Sequence, residues 1–397
     1  MATTVSSTLT GLESLLAADS IPDELWQDDA TRKRLLQACR RVSLRLEKPW
    51  DTVQRLSYLP LELSVARIGG DMALWKTLVD LDRSSTVDEL AKITGSDATL
   101  VTRILRYAAS VGMVEERGEN VFKPSNITRN MIAPGMQAGF FHAIENCARP
   151  YIALPEFLAR TGYQNPTDPK RTAFQLGHDT DLHIFQWYAA HPKNIATFSE
   201  YMEVQRVDEP KWLSAFPLQD YCDISTNNHE DTIAFVDIGG GHGHQCVALL
   251  QEFPQLKGRV VLQDLEKVLE GVRIDGVQVM VHDFMTEQPV KGARIYYLRD
   301  VLHDWPDHVC ETILSRIIDA MSDQSVILID DLVLPATGAH WYATGLDLAM
   351  MSLVAAQERS LPEWHRLLQN VGLGIKQLVK YTDKGDSIIV AAKDEER

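Results

Sequence analysis

From Thr232 onward apolar runs alternate with helical stretches: I-A-F-V-D-I, G-H-Q-C-V-A-L-L-Q-E-F, R-V-V-L-Q-D, V-Q-V-M-V-H-D, R-I-Y-Y-L-R and S-V-I-L-I-D-D. Strands that alternate with helices predict an α/β fold with a doubly wound, Rossmann-like sheet. In such a sheet a ligand sits outside the carboxyl ends of the strands, near the first strand-to-helix turn. That turn is V-D-I-G-G-G-H-G-H, from Val236 to His244.

The chain has 397 residues, 45% of them hydrophobic, enough for two sizeable cores. From Pro22 to about Leu81 the pattern is helical. Trp26, Leu35, Leu36, Leu44, Leu46, Leu59, Leu61 and Leu63 there give more apolar surface than a short solvated helix buries alone, as part of a subunit interface would. Thr86 to Thr128 reads as a short helix, a G-S-D turn, a longer helix and a hairpin with Gly118 at its tip, the layout of a winged helix. Residues 131–222 read as helices rich in aromatic side chains, and the polar S-T-N-N-H-E-D then changes the rhythm. The expected organisation is residues 1–130 as a helical and winged-helix domain, 131–225 as a helical linker and pocket region, and 226–397 as the Rossmann-like domain.

A formal charge of -16 repels nucleic acid phosphates and anionic membrane surfaces. The winged helix carries few basic residues, Arg103 and Arg106, and its hairpin carries Glu115, Glu116 and Glu119, so a structural module is expected and no nucleic acid partner. Cys39, Cys147, Cys222, Cys246 and Cys310 are scattered, without the paired spacing of a zinc site or a disulfide framework. No basic-then-apolar leader and no membrane-length apolar run is present, which places the expected protein in the cytoplasm, with no membrane partner. No metal is expected either, because His242 and His244 have no third ligand at suitable spacing.

The glycine turn follows Asp237, with Gly239, Gly240, Gly241 and Gly243 leading into a helix. Glycines let the backbone approach a ligand closely. A dinucleotide site wants G-x-G-x-x-G, whereas this segment reads as the more compact G-x-G-x-G, which resembles motif I of class I methyltransferases. The next strand ends at Asp264, whose carboxylate can accept from two ribose hydroxyls. H-D-F-M after the third strand places Asp283 and Phe284 against an adenine, one by hydrogen bonding and one by apolar contact.

The fourth strand leads into Y-Y-L-R-D-V-L-H-D-W-P-D, and D-D-L-V-L-P follows later. With the glycine motif these strings resemble the caffeate-type and fungal secondary-metabolite O-methyltransferases, and the similarity of layout covers most of the chain. The resemblance implies S-adenosylmethionine as cofactor, held by Asp237, Gly239, Gly240, Gly241, Asp264, Leu265, Asp283, Phe284 and Arg299. It implies His303 as catalytic base, flanked by Asp331 and by Glu358 in Q-E-R-S, with Asp330 and Glu363 close enough in sequence to compete for those two assignments. It further implies a homodimer through the N-terminal helices and an aromatic or polyketide-type substrate in a pocket including Phe140, His142, Trp187, Met350 and Met351. Two other readings stay open. Some fungal relatives of this family act as pericyclases or dehydratases on a retained cofactor site, for which Arg299, Asp300 and His142 are the candidate pocket groups; the other is a winged-helix regulator.

Overall fold

The computed structural model describes residues 2–17, 23–206, 209–222 and 232–394. They form two compact units, Met1–Val65 and Ala66–Arg397. The first unit is helical: Ala2–Ala17, Asp23–Gln27, Asp29–Leu46 and the start of Pro49–Asp71. Asp28 caps the Asp29–Leu46 helix by accepting from the Thr31 N–H. No residue of that helix is buried, and Trp26, Leu36, Leu46, Trp50 and Leu56 are exposed.

In the second unit the winged-helix segment is present. A short strand β1 (Ser85–Thr86) pairs with β3 (Val121–Pro124), which pairs with β2 (Val114–Gly118), and helices Val87–Thr94 and Ala98–Ser110 pack beside them. The hairpin tip differs from expectation: Gly118 is still paired with Val121, and the left-handed residue of the turn is Asn120, at φ 54°. Asparagine tolerates that conformation, and Arg106 ties it down by donating to the Asn120 side chain at 3.0 Å. A run of helices follows, Met136–His142, Arg149–Arg160, Ala173–His178, Ile184–Ala190 and Pro192–Val204, with one π-helical turn at Ala143–Ala148. Of the polar stretch expected to separate the domains, residues 225–231 lie outside the described residues.

The sheet contains β4 (Phe235–Ile238), β5 (Val260–Asp264), β6 (Val277–Val281), β7 (Ile295–Arg299), β8 (Val326–Leu334), β10 (Leu373–Lys380) and β11 (Asp386–Lys393), with a short β9 (Arg359–Ser360) beside β8. Its order is β10-β11-β8-β7-β4-β5-β6. The five strands read from sequence are parallel; β11 is antiparallel to both β8 and β10. The order reverses at β4, whose neighbours β5 and β7 lie on opposite sides, so the crevice opens beyond the end of β4, where the glycine turn sits.

Alternation along the strands decides which side chains meet. Val236, Tyr296, Leu298, Ile327 and Ile329 fill the core on one face, whereas Phe235, Ile295, Tyr297 and Leu328 fill the other. Continued to the carboxyl ends, this places Asp330 on the face of Tyr297 and Asp331 on the opposite one.

Candidate active site

The glycine turn is locked to the end of β5. The Gln263 carbonyl accepts from Gly239 N at 2.8 Å and Gly240 N at 3.1 Å, and the Asp264 carboxylate accepts from Gly241 N at 2.8 Å and Leu265 N at 2.7 Å. Gly239 and Gly241 adopt left-handed φ of 69° and 58°. A Cβ on Gly240 would lie 2.5 Å from the Asp237 carboxyl group, while one on Gly241 would meet nothing within 4 Å. The turn therefore rests on Asp237 below and opens onto free space above, a cradle that a side chain would fill.

Asp237 is buried beneath this turn, with the Cys246 thiol donating to it at 3.4 Å. Burial pushes its carboxyl group up to about 7. Its contribution is thus to support the turn from beneath. Burial also raises Asp264, against the opposing effect of its two backbone N–H donors. Leu265 is half exposed beside it. Asp283 is exposed, with one oxygen accepting from Met285 N at 2.9 Å, and the Phe284 ring lies 3.7 Å from the Cβ position of Gly239. These groups offer carboxylate acceptors, an aromatic edge and a side-chain-free turn in one crevice, as an adenosyl ligand requires.

Past the end of β7 the chain bends at Asp300, a non-glycine residue with φ 51°, and enters the short 3-10 turn Leu302–Asp304 that carries His303. His303 Nδ1 and Glu358 Oε1 are 2.7 Å apart, and both side chains are buried. A carboxylate at Nδ1 requires the proton there, which leaves the lone pair on Nε2. Nε2 makes no hydrogen bond among the described residues; Asp304 Oδ1 stands 3.7 Å from it. Burial disfavours the imidazolium, but Glu358 and Asp304 outweigh it and hold His303 well above its ordinary value.

The two ambiguities left by the sequence resolve by geometry. Glu363 caps the Leu361–Asn370 helix, accepting from Ser360 N at 2.8 Å and from its hydroxyl at 2.6 Å, so Glu358 is the histidine's partner. Asp330 accepts 2.6 Å hydrogen bonds from the Tyr297 and Tyr381 hydroxyls and faces Arg299 Nε at 3.6 Å, on the face away from His303. Asp331 lies on the histidine's side, fully buried, and neither of its carboxylate oxygens has a hydrogen-bond partner among the described residues. Burial raises it well above the usual carboxylate range. Ligand atoms of Asp300, His303 and Asp331 lie within 4.8 Å of one another. Arg206 already supplies the positive charge facing Asp300, at 3.0 Å, so this grouping is an acid-rich setting for the histidine.

The side chain that holds the His303 turn in place was not singled out in the sequence. Arg359, wholly buried, donates to the Leu302 carbonyl at 2.9 Å, the Trp305 carbonyl at 3.0 Å and the Asp307 carboxylate at 2.8 Å, and lies 5.2 Å from the Trp364 ring centre. It follows Glu358 directly, so one short segment both orients the imidazole and anchors its loop. The helical region reaches the same loop through His183, whose ring stacks on Trp305 at 5.2 Å and 4°.

Of the expected pocket residues, Trp187 is packed in an aromatic cluster, 3.9 Å from the His191 ring and 5.6 Å from Phe174, with Met350 against the same cluster. His142 has both ring nitrogens engaged, by Asn146 at 2.9 Å and the Cys147 thiol at 3.3 Å, and burial drives it down to about 4, leaving a neutral ring against Phe198 and Tyr201. Phe140 and Met351 are half-buried.

A family model described as an O-methyltransferase domain matches residues 197–374. The O-methyltransferase lepI of Aspergillus flavus is 40% identical over 377 residues, 94% of this chain and 97% of that protein. The demethylsterigmatocystin 6-O-methyltransferase of Aspergillus parasiticus is 36% identical over 388 residues, 96% of this chain and 99% of that one. Solved structures described as a pericyclic reaction enzyme and as LepI in complex with SAM each superpose with a TM-score of 0.89 at 38% identity, covering 98% of this chain and 100% of theirs. Together with the glycine cradle, Asp264 and the paired His303, these matches show that the chain belongs to the class I S-adenosylmethionine-dependent O-methyltransferases of fungal secondary metabolism.

Proposed function

We propose that this chain methylates a hydroxyl, phenolic in character, of a small aromatic or polyketide-type metabolite, with His303 as general base. The observation that carries the reading is the buried Glu358–His303 pair, which directs the free lone pair of Nε2 away from Glu358. The cofactor supplies an electrophilic methyl group on a sulfonium. The protein's own tasks are positioning the acceptor and taking its proton. A phenol near pKa 10 and an imidazole near 6.5 are mismatched by about 3.5 units, roughly 5 kcal/mol. Glu358 and Asp304 narrow that gap by stabilising the imidazolium that forms. The proposed cofactor contacts are Gly239, Gly241, Asp264, Leu265, Asp283 and Phe284, with Asp237 and Gly240 shaping the turn. Phe140, His142, Met350 and Met351 are proposed to border the acceptor, with Trp187 as backing.

A second reading keeps the cofactor and changes the reaction. It is favoured by the likeness to a structure described as a pericyclic reaction enzyme and by Asp300, which lies close to the histidine and has Arg299 3.8 Å away. One incubation separates the two: S-adenosylmethionine with a panel of fungal phenolics and pyridones, read by mass spectrometry. Methylation gives S-adenosylhomocysteine and a product heavier by about 14 Da, one methyl for one hydrogen, and His303→Gln loses most of that product while still binding cofactor. A product of unchanged mass without S-adenosylhomocysteine overturns the first reading in favour of the second.

The exposed apolar side chains of the first unit, Trp26, Leu36, Leu46, Trp50 and Leu56, support a homodimer, for which sedimentation at dilute protein is the test. No helix among the described residues is long and apolar enough to cross a membrane.

A further inference from the structure

We infer that Arg206 is a positioning residue for the base, acting through Asp300: its guanidinium holds the Asp300 carboxylate and so keeps it from clamping the His303 imidazolium. This rests on the reading of His303 as the base. Arg206 follows the Pro192–Val204 helix, outside every motif that marks the site in sequence. Its side chain is largely buried and spans two carboxylates, with Nη2 3.0 Å from Asp300 Oδ1 and Nη1 3.1 Å from Asp386 Oδ1. Asp386 is itself buried at the start of β11 and is fixed by Thr382, whose side-chain oxygen accepts from Asp386 N at 3.1 Å. The antiparallel hairpin at the sheet edge thus holds Arg206, and Arg206 holds Asp300.

Asp300 needs such a partner. It sits in a left-handed conformation that costs a non-glycine residue energy, and its backbone N–H donates to the Asp330 carbonyl at 3.1 Å. Its carboxylate belongs to the same close grouping as His303 and Asp331. Burial by itself would protonate Asp300, but Arg206, then His303 and Arg299, outweigh it and keep the group ionised.

The charged groups around His303 show why Arg206 matters. Glu358 comes from the segment before β9, Asp331 from β8, and Asp300 and Asp304 from the loop after β7. Of the nearby cations, Arg359 is committed to the Leu302 and Trp305 carbonyls and Asp307, and Arg299 lies closer to Asp330, at 3.6 Å, than to Asp300, at 3.8 Å. Arg206 is the cation in hydrogen-bond contact with Asp300. Without it, the imidazolium becomes the main counter-charge for Asp300, and the base is held in its inactive, protonated form.

The test reads His303 directly, so it does not depend on finding the acceptor. In full-length protein labelled with 15N-histidine, the His303 signals, assigned by their loss in His303→Gln, are titrated by NMR. Arg206→Gln is expected to move the His303 midpoint to higher pH, Arg206→Lys to leave it close to wild type, and Arg206→Gln with Asp300→Asn to bring it back down. In assays with an accepted substrate, Arg206→Gln should lower kcat roughly tenfold at neutral pH, with recovery as the pH rises and with cofactor affinity unchanged. A His303 midpoint that does not move in Arg206→Gln, or that stays raised in the double variant, overturns the inference. If Arg206→Gln fails to fold, Asp300→Asn alone carries the test with opposite sign: His303 must titrate at lower pH, and an unmoved midpoint overturns the proposal. Failure of the methylation reading would appear separately, as absence of a methylated product with His303 titrating as described.

Discussion

Glu358→Gln tests the chemistry of the site most sharply, because glutamine keeps the shape of the side chain and removes only its charge. The wild-type contact is a 2.7 Å hydrogen bond between groups that are nearly excluded from water, so solvent screens it little. A hydrogen bond to a charged group contributes about 1.5–3 kcal/mol. The glutamine carbonyl can still accept from Nδ1–H, so the tautomer survives and the loss is that of the ionic part. With tenfold per roughly 1.4 kcal/mol, kcat at its high-pH plateau should fall about ten- to a hundredfold. The pH profile adds a sign. Glu358 helps to raise His303, so its removal lowers the value, and the acid limb of kcat should move to lower pH. The same pair has a consequence for stability. His303 titrates higher in the folded chain than its ordinary 6.5, so the pair stabilises the fold fully below that pH and the contribution is lost as the pH rises through the folded value. Thermal unfolding should therefore separate wild type from Glu358→Gln more at pH 6 than at pH 9. A variant with wild-type kcat and an unmoved acid limb would refute the assignment of Glu358 as the group that sustains the base.

Asp264→Ala removes the acceptor of both the Gly241 and Leu265 N–H groups and the carboxylate proposed to meet the ribose; calorimetry should show S-adenosylmethionine binding weakened roughly ten- to a hundredfold, and wild-type affinity would take Asp264 out of the site. Arg359→Lys keeps the charge but cannot serve two carbonyls and a carboxylate with one planar group, so a loss of about 3–5 kcal/mol is expected in chemical denaturation, together with loss of activity. Unfolding within about 1 kcal/mol of wild type would show that the His303 turn does not depend on that clamp.

Much of the catalytic half was legible from local pattern. The strands β4 to β8 follow from short apolar runs, and the glycine turn follows from spacing, because a backbone that must adopt positive φ and lie against Asp237 excludes side chains locally. His303 was legible from its surrounding string. What local pattern did not reveal is whatever depends on partners distant in the chain. Gln263, Arg206, Arg359 and His183 act through carbonyls, carboxylates and rings brought up by other elements, and nothing in the residues beside them marks that role. The β10–β11 hairpin was missed as well, although β11 completes the sheet beside β8 and carries Asp386.

The sequence by itself therefore determined the parallel sheet, through periodicity, and marked the cofactor and the histidine proposed as base, through contiguous strings that resemble the family's motifs. The tertiary structure decided which acids lie against His303. Asp330 and Asp331 are adjacent and chemically identical, and only the two-residue alternation of a strand buried on both faces sends one to Tyr297 and Tyr381 and the other toward His303. Glu358 and Glu363 differ for a similar reason: one precedes β9 and reaches the histidine, while the other opens a helix and spends its carboxylate on the cap. Charges on neighbouring residues become a catalytic site only when the fold assigns each a direction and a partner.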